Sequence, residues 1–164
     1  MAEQRAKADP GTRNVEIVRA TYEAANRGDV DAWLAPLDAD VEVWDYMNGV
    51  IATDRGAYRR WIDHYLEAWE YYREIPEHIV PAGDRVVALV KSEARGAMSQ
   101  AVIQECHGEV HTLAEGRIVK VMLYPTYGQA LEAAGLDESA IATESVEASR
   151  PADTRGGGRF RAPR

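Results

Sequence analysis

Residues 15–45, VEIVRATYEAANRGDVDAWLAPLDADVEVWD, read in order as a helix, a stop, a second helix and a strand. Val15, Val18, Tyr22 and Ala25 recur at three- and four-residue spacing, which predicts a helix with one face turned to a core. Asn14 stands where an N-cap belongs, and Gly28 supplies the left-handed residue that ends such a helix. Asp29 then caps a short helix over 30–37 that carries Trp33, Leu34 and Leu37 inward. Asp38, Ala39 and Asp40 read as a turn, and Val41-Glu42-Val43-Trp44-Asp45 alternates as a strand.

Working outward, Asn48-Gly49 marks a hairpin turn. Thr53 or Asp54 starts a third helix whose stripe is Tyr58, Trp61, Ile62, Tyr65, Leu66 and Trp69. Four strands follow, over 70–80, 85–95, 101–113 and 117–124, and then a short helix over 127–134. Pro76 assigns the first of these to an edge or a bulge. Helices gathered beside a run of strands give an α+β class. A curved antiparallel sheet wrapped around a long helix makes a cone open at one end, and such hollows take small molecules. Residues 1–13 and the Gly/Arg-rich stretch 145–164 lack apolar content and are expected to be disordered, leaving one domain over 14–144.

The 164 residues are 46% hydrophobic and 28% charged, enough for one core. A single cysteine excludes an internal disulfide framework. The net charge of −8 argues against nucleic acid and against an anionic membrane surface as partners. The longest apolar run, 86–90, is five residues, too short to span a bilayer, and no signal-peptide pattern opens the chain. A cytoplasmic location is expected. No Gly-rich phosphate loop, Ser-His-Asp order or Cys-His dyad is visible, and no cofactor is expected.

Chemistry concentrates on residues 101–113. Side chains two apart on a strand share a face, so Glu105, His107, Glu109 and His111 stand together, flanked by Ile103 and Leu113. Cys106 falls on the opposite face and reads as a buried, inert thiol. Three readings fit the Glu-His-Glu-His face. It is an acid/base site, a metal site built from the two histidines with Glu105 or Glu109, or a charged face turned to solvent or to a partner subunit. The spacing alone is a weak metal signature, and no metal is expected.

The segment 15–45, with its N-R-G-D turn, resembles the opening of SnoaL-like polyketide cyclases and ketosteroid isomerase-like proteins of the nuclear transport factor 2-like superfamily. The ending AEGRIVKVMLYPTYGQALEAAGL, residues 114–136, resembles the same family's last hairpin, strand and helix. The resemblance implies a cystatin-like conical α+β barrel, a homodimer, and a cavity lined by the odd-numbered face of 101–113. It places Asp45 at the family's base. Glu109 falls near the acid that donates a hydrogen bond to the developing enolate, with His107 and His111 as further proton donors. The isomerases' tyrosine donor falls at Thr21; Tyr22 lies one residue and 100° of helix away, which predicts that it does not substitute. Trp44, Tyr46, Trp61 and Tyr124 are expected to frame a flat ligand, with Val90, Ser92 and Glu105 on neighbouring strands; simple packing accounts for each equally well. The Asp-Arg-Asp set of epoxide hydrolases on this fold is not reproduced. The expected function is acid/base conversion of a small, apolar carbonyl compound such as a polyketide or steroid-like molecule. The alternative is a ligand-binding or dimerisation module without catalysis.

Overall fold

The computed structural model of the chain describes residues 9–142. The expected tail over 145–164 and the first eight residues lie outside this range. Helix α1 spans Pro10–Arg27 and begins four residues ahead of Asn14. Asp9 is the cap, its carboxylate accepting from the Gly11 N–H at 3.1 Å, and Pro10 presets the first helical φ. Residues 10–13 are therefore helix rather than a frayed end. Gly28, with φ of 74°, closes α1 as expected. Asp29 caps α2 (Val30–Leu34).

Strand β1 covers Leu37–Asp45 and so includes the expected turn. The Asp40 N–H turns onto the Asp38 carboxylate at 3.0 Å, and the register with the neighbouring strand shifts between Leu37 and Glu42. The aspartates thus make an irregularity within a strand. Then come β2 (Gly49–Ala52), α3 (Arg55–Glu67) capped by Asp54, β3 (Trp69–Ala82), β4 (Arg85–Gly96), β5 (Val102–Ala114), β6 (Arg117–Tyr124) and α4 (Tyr127–Ala133).

The six strands form one curved, unclosed sheet in the order β2-β1-β6-β5-β4-β3. All neighbours are antiparallel except β1 and β6, which run parallel. β3 is an edge strand whose register shifts between Pro76 and His78, so the proline sits at an edge and a bulge together. Val86, Ala88 and Val90 of β4 face the main core with Val18 of α1 and Ile62 of α3, while Val87 and Leu89 face α4. Burial on both faces explains why this strand is apolar without alternation. Gly108 lets α4 lie close on β5: a Cβ there would stand 2.3 Å from the Ala130 Cβ. β5 is thereby held between α4 on its outer face and the hollow on its inner one.

Candidate active site

The hollow between sheet and helices is a cavity of about 660 Å³. The odd-numbered face of β5 turns into it, so Glu105, His107, Glu109 and His111 all line it. The sequence period alone delivers that arrangement. Glu109 is buried at its centre. Its strand neighbours are Ala88 on β4 and Leu123 on β6, whose side chains carry no polar atom.

Glu109 is held by three side chains. Tyr22 donates its hydroxyl to Oε2 at 2.6 Å. His107 Nε2 meets Oε1 at 3.0 Å, and His111 Nε2 meets Oε2 at 3.2 Å. His111 Nε2 is also 3.2 Å from the Tyr22 hydroxyl. His111 Nδ1 is buried without a hydrogen-bond partner among the described residues. Burial pushes the Glu109 carboxyl up, but hydrogen bonds and charge from His107 and His111 outweigh it and hold Glu109 well below the usual carboxylate range.

A second buried carboxylate stands alongside. Glu74 Oε1 accepts from the Tyr72 hydroxyl at 2.6 Å and lies 3.9 Å from His107 Nε2. Asn26 of α1 clasps the backbone of Glu74, Nδ2 donating to its carbonyl at 2.6 Å and Oδ1 accepting from its N–H at 2.9 Å. Burial first, and then the charge of Glu109, push Glu74 up to about 7. Burial pushes His107 down, but Glu109 and Glu74 win and bring it up to about 9. Burial also raises the hydroxyls of Tyr22 and Tyr58, helped by the charges of Glu109 and Glu74. Near neutrality the site therefore holds an ionised Glu109, a protonated His107, protonated tyrosines and a Glu74 poised between its two forms.

Asp45 lines the same cavity at its mouth. Its Oδ1 accepts from the N–H groups of Met47 at 2.7 Å and Asn48 at 3.0 Å, and its Oδ2 from Asn48 Nδ2 at 3.1 Å. The carboxylate closes the β1–β2 turn. Trp61, Ser92, Glu105 and Tyr124 line the cavity, whereas Trp44, Tyr46 and Val90 do not. Trp44 turns to the outer face, where its Nε1 donates to Glu42 at 3.2 Å and Lys120 stands 5.7 Å from the ring centroid. Tyr46 is 59% exposed and rests on Tyr124 outside. Val90 is sealed in the core beneath α1 and α3. Cys106, expected to be buried, is exposed and lies on the cavity lining.

Tyr22 lines the cavity and reaches Glu109 although it stands 100° of helix from the position aligned with the isomerases' tyrosine. It lies one turn beyond the buried Val18, while the Thr21 hydroxyl is spent on the Val18 carbonyl of its own helix at 2.7 Å. The stripe Val15-Val18-Tyr22 had pointed Tyr22 inward; aligning Thr21 with the isomerases' tyrosine masked it. Glu74 and Tyr72 had no comparable signal, because their relation to β5 runs through the register of Glu74 with Ser92 and of Ser92 with Glu105. Among the described residues, Glu74, His107 and Glu109 are the set able to hold a metal ion, with ligand atoms within 4.8 Å of one another.

Several solved structures share this architecture. A candidate SnoaL-like polyketide cyclase from Jannaschia sp. CCS1 is 17% identical with a TM-score of 0.65, covering 83% of this chain and 96% of its own. A candidate polyketide cyclase from Xanthomonas campestris is 26% identical with a TM-score of 0.59, covering 77% and 99%. A hypothetical protein with a ketosteroid isomerase-like fold from Catenulispora acidiphila, solved in complex with trimethylamine, is 19% identical with a TM-score of 0.62, covering 74% and 94%. No curated protein matches the chain in sequence. The SnoaL-like domain model matches residues 18–121, and by that match the chain belongs to the SnoaL-like domain family.

Proposed function

We propose that the protein moves protons on a small, largely apolar carbonyl compound, such as a polyketide or steroid-like molecule, by acid/base catalysis in this cavity. The observation that carries the proposal is the unbroken line Tyr22–Glu109–His107–Glu74, with successive separations of 2.6, 3.0 and 3.9 Å, along one cavity wall. Glu74 is the base. It takes a proton from the carbon next to the carbonyl, the C–H electron pair becomes the new C=C bond as the carbonyl π pair moves to oxygen, and protonated His107 offsets the enolate's charge, while Tyr22, its one proton given to Glu109, holds that carboxylate in place. Return of the proton from Glu74 to the same or another carbon completes an exchange or an isomerisation; attack of the enolate on a second carbonyl gives an aldol-type cyclisation. Glu109 and His111 are positioning residues: Glu109 keeps His107 charged, and His111 braces Glu109. Asp45, whose oxygens are committed to a turn, shapes the mouth. A base near 7 beside a cation near 9 suits proton transfer at neutral pH. The same reading takes the protein as a homodimer, which sedimentation measures.

The test is proton NMR in D₂O with a panel of small apolar ketones and 1,3-dicarbonyls. The protein is expected to speed exchange of the α-protons above buffer, and Glu74→Gln to abolish the gain. Exchange at the buffer rate across the panel sinks the catalytic reading.

A further inference from the structure

The sheet has an open edge besides those of its outermost strands. β5 pairs with β4 from Val102 to Thr112, but with β6 only from Gly108 to Ala114. Residues 102–107 therefore have a strand on one side alone. Their outward backbone groups meet no turn or loop backbone among the described residues. Such a row of N–H and C=O groups is a template for another strand, and proteins normally blunt it. The outermost strands are blunted here: β3 carries Pro76, Pro81 and a register shift, and β2 is only four residues long. The free stretch of β5 has no proline, lysine or bulge.

This edge is apolar as well as unpaired. Met98, Val102 and Ile103 are 97%, 65% and 40% exposed, and residues 96–104 hold no charged side chain. In a chain of net charge −8, two copies repel over most of their surface, and a charge-free edge is where they approach with least repulsion. An antiparallel strand pair is also symmetric under a twofold rotation, so the edge is its own complement.

That symmetry fixes the register. An axis perpendicular to the sheet leaves each residue on its own face, and opposed residues share a face. The axis must then pass beside a residue that meets its own twin. Centring on Glu105 sets two carboxylates directly opposite, which is unfavourable. Centres nearer either end of the stretch pair fewer residues. Centring on Gln104 sets two amides together. Gln104 gives one amide N–H to Glu93 at 3.2 Å, which leaves its second N–H and its carbonyl oxygen for the twin. Ile103 then faces Glu105 of the partner subunit, and Val102 faces Cys106 of the partner subunit.

We propose that residues 102–106 of two copies pair antiparallel about Gln104, joining the two sheets through β5. Glu105 and Cys106 also line the cavity, so the pairing sets the second copy against its rim. This names the surface of the homodimer in the proposed function; it rests on that dimer and not on the catalysis.

The experiment is sedimentation equilibrium on the full chain and on variants whose circular dichroism matches the parent. The parent is expected to be a dimer. Ile103→Glu sets like charge against Glu105 of the partner subunit twice per dimer, and is expected to raise the dimer Kd by about tenfold or more. Ile103→Lys meets the same carboxylate with opposite charge, and is expected to leave the Kd unchanged or lower it. Opposite responses at one exposed position separate a charge contact from lost apolar surface or a damaged fold. Gln104→Cys in a Cys106→Ser background is expected to give a disulfide-linked dimer on mild oxidation, since opposed strand residues lie within disulfide reach. A parent that sediments as a monomer overturns the homodimer and this surface together. A dimer that responds alike to Ile103→Glu and Ile103→Lys, or that Gln104→Cys leaves unlinked, overturns the surface and leaves the homodimer standing.

Discussion

Glu109 is surrounded by more donors than any other buried carboxylate among the described residues, and its three partners behave differently when removed. Tyr22→Phe takes away the 2.6 Å bond but leaves both imidazoles. It is expected to cost about 1–2 kcal/mol in urea unfolding and to slow the α-proton exchange, because Glu109 is then less firmly held against His107. A variant with full exchange activity removes Tyr22 from the proposal. His107 carries a pH signature. Its folded-state value of about 9 lies above the ordinary 6.5, so its pairing stabilises fully below pH 6.5 and is lost as pH rises through 9. Glu74, raised to about 7 from 4.5, adds a decline of the same sign between those values. Urea stability is therefore expected to fall from pH 6.5 to 9 by about 1–3 kcal/mol, and His107→Gln to flatten that fall. For catalysis the same two groups predict a bell, rising through about 7 as Glu74 ionises and falling through about 9 as His107 loses its proton. A kcat/KM profile flat from pH 6 to 8 contradicts Glu74 as the base.

At the scale of elements, the pieces whose physics is local are the ones the sequence reveals. The helix stop at Gly28, an α3 start at Thr53 or Asp54, of which Asp54 is the cap, and the β6 boundaries all follow from adjacent residues. The two-residue period of β5 likewise places Glu105, His107, Glu109 and His111 on one face without knowledge of any neighbour. The start of α1 is missed because two caps compete; Asp9 with Pro10 behind it outbids Asn14. The parallel pairing of β1 with β6 is missed because the partners are far apart in sequence, for example Val43 with Val121. Gly108 shows how an element's placement reaches the site. It lies between His107 and Glu109, and its bare Cα admits Ala130 and the Thr126 carbonyl of the α4 cap. Gly108→Ala forces α4 off β5 or bends β5 into the cavity, at a cost of about 1–3 kcal/mol. The matching check is the double variant Gly108→Ala with Ala130→Gly, which removes the clashing methyl. It is expected to recover much of the lost denaturant midpoint, and recovery of none means that the contact does not set the spacing.

At the scale of the molecule, the site is legible only in part because it is assembled from separated pieces. The Tyr22–Glu109 bond joins residues 87 positions apart, and α1, β3 and β5 each contribute to the central cluster. No local window contains that meeting; it follows from a sheet order that puts β5 inside and β3 at one edge. The same order predicts how rigid each contributor is. β5 pairs on both sides, and its neighbour β4 carries a run, Val86 to Val90, with no exposed surface. β2 is a four-residue edge strand paired on one side only, and it adjoins the mouth formed by Asp45 and Asn48. Amide hydrogens in β4 and the central part of β5 are therefore expected to exchange only through global unfolding, tracking the urea stability of each variant above. Amides of β2 are expected to exchange through local opening, orders of magnitude sooner and indifferent to Gly108→Ala. Deuterium uptake followed by peptide mass spectrometry reads both regions at once. Equal rates in the two regions mean that mouth and catalytic wall open together, and the donors facing Glu109 are then not held in place while a ligand enters.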